Sequence, residues 1–541
     1  MRYSGCMKKE IIFLLAFILL YLVGSSFTAL ADNLQDGLYS HDAGEYDSAH
    51  KLLFPLAEQG NALAQLVLGS MYELGKGIQQ DYSEAAIWYK LSAEQGNAGA
   101  QNLLGLFFEK GRGLPQDYVE AVKWYQLSAD QGYALSQLFL GERYYRGQGV
   151  QQNFIEAAKW FELAAKQGLK NAQYSLGVMY YHGQGVQQNY HEAFNSYKLL
   201  AIQGHAKARY NLGLMYYHGQ GVQQNYKEAF KWFKLSSEQG VVVAQYNLGY
   251  FYDQGKGIPQ DCMKAFNLYQ LSAKQGNALA QSNLGLLYDL GKLVSKNYKE
   301  AVKWYRLSAE QDAKEGQSNL GTMYEKGQGV SQDYMEAFKW FKLSADQGFK
   351  DGQSNLGLMY YHGKGIQKNY NEAFKWFKLS AQQGSVEAQS NLGTMFKNGE
   401  GIPQDYNKAK KWFKFSADLG FAIAQYNLGT MYEKGQGVSQ DYMEAFKWFK
   451  LSADQGYGLA QRILGLFYEF GKLGSKNNVL AHMWLNMASI QGDKDAAEDK
   501  RRVEKKMSTL QIEKAKEMAE NQNLKISNPT HPKPCTHQPS F

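Results

Sequence analysis

A glycine recurs every 36 residues along most of this chain, and that period limits what the chain can become. Positions 60, 96, 132, 168, 204, 240, 276, 348, 384, 420, 456 and 492 are all glycine, with Asp312 the one substitution in the series. Twelve complete repeats therefore fill residues 60–491. A chain of 541 residues would otherwise suggest several globular domains, but a period this long belongs to units that bury their apolar faces on one another. Thr322–Gly348 and Thr430–Gly456 are identical and lie three periods apart, so the array grew by copying a block.

Within the first repeat Ala64, Leu68, Met71 and Tyr72 fall at helical spacing and predict a helix A. The Leu68 and Gly69 positions are invariant across the twelve repeats. A glycine inside a helix costs about 1 kcal/mol relative to alanine, so its repetition implies a compensating close approach, expected from the backbone of the neighbouring helix. The segment Gly75 to Gln80 breaks helix A, and helix B starts at Asp81, a position that is Asp or Asn in every repeat. Nine repeats carry Glu three residues later (84, 120, 156, 192, 228, 300, 336, 372 and 444), the spacing of a capping box. All ten tryptophans (88, 124, 160, 232, 304, 340, 376, 412, 448 and 484) share one position of helix B, replaced by Ser196 and Leu268 in two repeats. Their spacing from the invariant Ala85 position predicts a core role, not a sugar- or base-stacking platform.

The resulting pattern, Ala-x-x-Leu-Gly-x-Met-Tyr-x-x-Gly-x-Gly-Val-x-x-Asp-Tyr-x-Glu-Ala-x-Lys-Trp-Phe-x-x-Ser-Ala, resembles the signature of the Sel-1-like repeat, the 36-residue relative of the tetratricopeptide repeat. The resemblance covers roughly residues 36–520, and His482-Met-Trp-Leu-Asn-Met-Ala with the helix after it looks like the closing unit of bacterial members. It implies an all-α, right-handed α-solenoid that works as an adaptor or scaffold, in exported bacterial members at the envelope or against host proteins. Some exported relatives have been described as β-lactamase-like or penicillin-binding.

Both ends of the chain depart from the repeat. Lys8 and Lys9 precede 13 apolar residues, Ile11 to Val23, then Ala29-Leu30-Ala31. This is the layout of an export signal occupying 1–31 with cleavage after Ala31, and the run is shorter than the ~20 residues of a membrane span. No stable span is expected after cleavage, and the expected location is the periplasm or the exterior. Residues 32–59 read as a half repeat, with Ala49, Leu52, Leu53 and Leu56 feeding the first full unit. Residues 492–521 read as one charged closing helix, and 522–541, with Pro529, Pro532, Pro534 and Pro539, as a disordered tail. Cys262 and Cys535, the cysteines left after cleavage, are far apart and suggest no disulfide framework or zinc site.

The formal charge of +7 is mild and its acids and bases are interspersed, which argues against a nucleic-acid partner. A class A β-lactamase needs Ser-x-x-Lys, Ser-Asp-Asn and Lys-Thr-Gly; only Ser48-Ala-His-Lys51 fits the first, the others are absent, and the paired cysteines of those relatives are missing. The chain is read as no enzyme, with no cofactor. A hydrolase and a peptidoglycan- or glycan-binding module using surface Tyr are the alternatives. His182, His218 and His362 share one repeat position, but Leu74, Lys110, Arg146, Gln254, Asn398 and Phe470 occupy it elsewhere, so a metal site is not expected. His531, Cys535 and His537 could chelate only adventitiously from a structureless tail.

One polar series remains: Asn211, Asn247, Asn283, Asn319, Asn355, Asn391 and Asn427, each directly before the invariant Leu of helix A. It resembles the asparagine with which tetratricopeptide clamp domains hold a peptide backbone on the concave face. A side-chain amide donates and accepts at once, as a peptide group of any sequence requires. The alternative is that these amides bond within or between repeats. The expected partner is a protein or peptide on the concave face.

Overall fold

The computed structural model describes residues 33–291, 293–527 and 535–536; the expected leader, 1–31, lies outside them. The chain is an all-α solenoid of tandem helical hairpins with two compact bodies, dividing between Gln239 and Gly240. The first holds repeats 1–5, and the second holds repeats 6–12 and the closing helices.

Each hairpin is set by its caps. In repeat 1 helix A runs Ala62–Leu74 and ends on Gly75, whose φ of 65° lets its N–H reach the Met71 carbonyl. Helix B, Tyr82–Glu94, starts on Asp81, whose carboxylate accepts from the N–H groups of Ser83 and Glu84 at 2.8 and 3.1 Å. The reciprocal half of the expected capping box does not form. The tight loop already gives the Asp81 N–H a partner, the Tyr72 carbonyl at 3.0 Å, and in several repeats the glutamate pairs with a lysine three residues on, as Glu120 with Lys123 and Glu228 with Lys231.

The invariant mid-helix glycine does mark a close approach, but chiefly of a ring. A Cβ on Gly69 would stand 2.7 Å from the Tyr89 ring of the same repeat and 3.3 Å from the Ala85 carbonyl, and Gly213 and Gly357 face Phe233 and Phe377 in the same way. The loop glycine Gly113 is tighter still: a Cβ there would lie 2.2 Å from the Tyr82 carbonyl oxygen of the preceding repeat. The tryptophans are core residues, as expected. Trp160 and Trp484 are buried, and Trp88, Trp232, Trp340 and Trp376 pack half-buried against the apolar clusters that join the preceding unit to helix A of their own repeat.

Polar side chains at constant offsets lock the hairpins. Ser92 donates from helix B to the Ala62 carbonyl at 2.6 Å, a bond repeated at Ser128, Ser272, Ser344 and Ser452. Gln95 donates to Gln65, and Gln65 donates back to the Ala57 carbonyl of the preceding unit; Gln131 and Gln101 repeat the arrangement. Gln65 and Gln101 are buried, so every donor here needs its partner.

The ends differ from expectation in detail. Ahead of the array, residues 33–42 are helical and pair with helix Tyr46–Glu58 around Leu53, so the half repeat is closer to a complete hairpin. Behind it the single closing helix is two, Lys494–Glu504 and Thr509–Ser527, both packed on Asn478–Ile490. The tail is not structureless from 522: helix continues to Ser527, and Cys535 and Thr536 are buried. Cys535 is disulfide-bonded to Cys262, which overturns the reading that these cysteines do not pair. A separation of 273 residues hid the pair, which the fold brings to Cα atoms 5.7 Å apart.

Candidate peptide-binding seam

Helices A of successive repeats touch, as repeat 7 (Ala278–Leu290) touches repeat 8 (Lys314–Lys326) and repeat 8 touches repeat 9 (Lys350–His362). The asparagine series lies on this seam. Asn211 donates to the Tyr174 hydroxyl at 3.1 Å, Asn319 to Ser282 at 3.2 Å and Asn355 to Ser318 at 3.4 Å, each crossing to the preceding repeat. Asn283 shares a hydrogen bond with Tyr269. Asn247 and Asn283 are buried, whereas Asn211, Asn319, Asn355, Asn391 and Asn427 are half-buried. Asn211, Asn283, Asn319 and Asn355 are thus already bonded between or within repeats, and a peptide at those positions would have to exchange one bond for another.

In the first body the seam opens into a cavity of about 310 Å³ lined by Tyr174, Val178, Tyr181, His182, Tyr197, Asn211 and Leu214. A smaller one of about 150 Å³ shares Val178 and adds Tyr145, Phe161 and Ser175. Helices A of repeats 4 and 5 and helix B of repeat 4 supply the larger cavity's walls. Burial raises the hydroxyls of Tyr174, Tyr181 and Tyr197 above the usual phenol range, so they stay protonated and can both donate and accept. Tyr181 donates to Gln220 of the next repeat at 2.6 Å, and His205 stacks on Tyr174 at 5.0 Å. Burial, then Lys207 and Lys170, lowers the His205 pKa and favours its neutral ring. The cavity is an apolar-walled slot with amide and phenol groups, suited to a side chain or sugar ring but lacking a general base paired with a nucleophile. These tyrosines were missed in the sequence, although Tyr145, Tyr181 and Tyr217 recur at one position in three consecutive repeats.

The remaining candidates are dispersed. His182, His218 and His362 each meet the preceding tyrosine edge-on with ring centroids 4.9 Å apart. Among the described residues no group of three or more His, Cys, Asp or Glu could hold a metal. Cys535 is spent in its disulfide, and His531 and His537 lie outside the described residues. Ser48 and Lys51 are exposed on helix Tyr46–Glu58.

A tandem array of two-helix units, closed at both ends and held by side chains at fixed offsets, is a repeat scaffold in class. The chain belongs to the Sel1 repeat family, whose repeat matches twelve times, from residues 62–97 through 458–493. A protective antigen of uropathogenic Escherichia coli strains with an SLR fold is 34% identical, covers 88% of this chain and 94% of its own, and superposes with a TM-score of 0.65. A Sel1 repeat protein of Oxalobacter formigenes is 33% identical over 44% of this chain and 96% of its own, with a TM-score of 0.41. Comparison with curated protein sequences yields no match. Scaffolds of this family and of the wider tetratricopeptide-like group generally mediate protein–protein interaction, and the fold is typically non-catalytic.

Proposed function

We propose that this chain is an exported scaffold that binds a protein or peptide segment along the helix-A seam, its concave face, in envelope maintenance or host interaction. The observation that carries this reading is the cavity of Tyr174, Tyr181, Tyr197 and Asn211, which offers an apolar slot beside a side-chain amide. The Cys262–Cys535 disulfide supports export, because such bonds persist in oxidising compartments. Similarity to a protective antigen supports a placement at the envelope or facing a host. Among the described residues no helix is long and apolar enough to cross a membrane.

The test is cross-linking capture from envelope and host-cell extracts with wild type and with a Tyr181→Ala, Asn211→Ala variant matched for helical signal and melting. Loss of one defined protein from the variant supports the reading; identical capture by both overturns the assignment of the site. The tyrosine walls also favour a second reading, glycan binding. Retention on purified sacculi that is lost with Tyr181→Ala would move the assignment to a cell-wall ligand.

A further inference from the structure

One place in the second body already holds a peptide. Asp253, in helix A of repeat 6 (Val242–Gln254), is fully buried. Its Oδ1 accepts from the backbone N–H of Cys535 at 2.7 Å and of Thr536 at 3.1 Å. Its Oδ2 accepts from the Thr536 hydroxyl and, at 3.1 Å, from the Tyr269 hydroxyl. Gln260, which donates to the Asp253 carbonyl at 2.7 Å, lies 3.5 Å from the Cys535 sulfur. Cys535 joins the apolar cluster of Phe266, Tyr269, Leu284 and Leu287, with Leu293 and Val294 packed against it.

Two departures from the repeat accompany this dipeptide. Cys262 begins helix B where Tyr82, Tyr118, Tyr298 and Tyr334 begin theirs, replacing a ring with a thiol-bearing carbon. Leu293 stands where the second loop glycine stands in most repeats and adds an apolar wall. At the Asp253 position of several other repeats the side chain is engaged by the residue 39 places later, as Glu325 by Lys364 and Glu433 by Lys472. Asp253 receives backbone N–H groups from 282 and 283 residues away. A carboxylate that takes two consecutive backbone N–H groups recognises main chain whatever its sequence, and the adjoining hydroxyl adds selection for Thr or Ser.

We propose that the Asp253 pocket is a binding subsite for a short peptide whose small residue is followed by Thr or Ser, occupied in the oxidised protein by the chain's own Cys535–Thr536 and released for such a peptide when the Cys262–Cys535 bond is reduced. This deepens the reading of the array as a peptide-binding scaffold and rests on it, at a site separate from the tyrosine cavity. The release step needs a dithiol. One of its thiolates attacks a sulfur of the bond, its second thiol resolves the mixed disulfide, and two electrons and two protons leave Cys262 and Cys535 as thiols while the dithiol closes to its own disulfide. After reduction the tethered tail still competes at high effective concentration, so a free peptide enters in part in the reduced wild type and fully when the tail's own contacts are also weakened.

The probe is a fluorescent peptide of residues 531–538 carrying Ser for Cys535, titrated onto full-length chain. Oxidised wild type is expected to exclude it, and the C535S/T536A double variant to bind it. A peptide that also carries Ala for Thr536 is expected to bind about ten-fold more weakly, since it loses a hydrogen bond to a charged group. Asp253→Asn, added to the double variant, abolishes binding if the fold is kept; the comparison of the two peptides stands whether or not that variant folds. Equal binding by both peptides, no binding to the double variant, or absence of a Cys262–Cys535 cross-linked pair from a non-reduced digest would each overturn the proposal. Partner capture through Tyr181 and Asn211 that persists in the double variant while the peptide fails to bind would sink this inference alone.

Discussion

The two ends of the array solve one problem with different physics. At the first end, Ala49, Leu53, Leu56 and Ala57 meet Ala64, Leu68 and Met71 in an aliphatic cluster, and a Cβ on Gly37 would stand 2.7 Å from Leu53. At the last, helix Lys494–Glu504 buries Ala496 and Val503 against Ala481, Leu485 and Ala488 and adds a layer of charge that, among the described residues, the first end lacks. Buried Glu469 accepts from Arg502 at 2.9 and 2.7 Å and from Lys506 at 2.9 Å, Arg462 reaches Asp495 and Asp499, and His482 meets Glu504 at 2.9 Å. Apolar burial is indifferent to pH, whereas buried ionisable groups tie stability to protonation. One end is therefore a fixed stop and the other a responsive one.

The largest expected effect tests the first end. Leu53→Ala, at a site with no exposed surface, should cost about 2–5 kcal/mol and speed amide exchange in the first repeats equally at pH 5 and pH 8. A pH-dependent loss would break the contrast. Glu469→Gln should cost about 1–3 kcal/mol locally, because half-exposed Arg502 and Lys506 lose the anion they face, and exchange should rise in Lys494–Glu504 while Leu53 and its neighbours keep their protection.

The pH prediction is smaller and has a definite sign. Burial, the largest influence on His482, lowers its pKa despite the bond to Glu504, so the unfolded chain binds the proton first. The stability it contributes is complete above its unfolded value of about 6.5 and is lost as pH falls through its lower folded value. Hydrogen bonds from Arg502 hold Glu469 below its ordinary value, so its contribution is present above the usual carboxylate range and is lost on further acidification. Protection factors in the closing helices, taken relative to intrinsic exchange at each pH, should therefore fall between pH 7 and pH 5, and His482→Asn should flatten that part of the profile. The smallest change is Asp312→Gly. Asp312 has φ 60°, the one positive value among described non-glycine residues, and restoring glycine should alter stability by less than about 1 kcal/mol.

What was legible in the sequence is what lies within one period. Asp81 before its helix, Gly75 after one, and the Gly69 position all act over a few residues or within one hairpin, and periodicity averages away their noise. Contacts between parts that do not repeat were not legible. Cys262 with Cys535, Asp253 with Thr536 and Arg502 with Glu469 each occur once among the described residues and join distant segments, so no second copy announces them. The glutamine pairs were not legible for another reason: an amide at a polar helix position carries no mark that its partner is another amide 30 residues away. The asparagine series was visible as a pattern, but its bonds to Tyr174, Ser282 and Ser318 depend on how neighbouring repeats stack.

The constant offsets of the locking bonds, 8 for Gln65, 30 for Ser92, 37 for Asn319 and 39 for Lys364, have an evolutionary consequence. Each partner is addressed by distance along the chain and not by identity, so a whole repeat spliced in or out returns every donor to an equivalent acceptor. The identical stretches Thr322–Gly348 and Thr430–Gly456 are what such a grammar permits: recombination can change the length of the word without misspelling it.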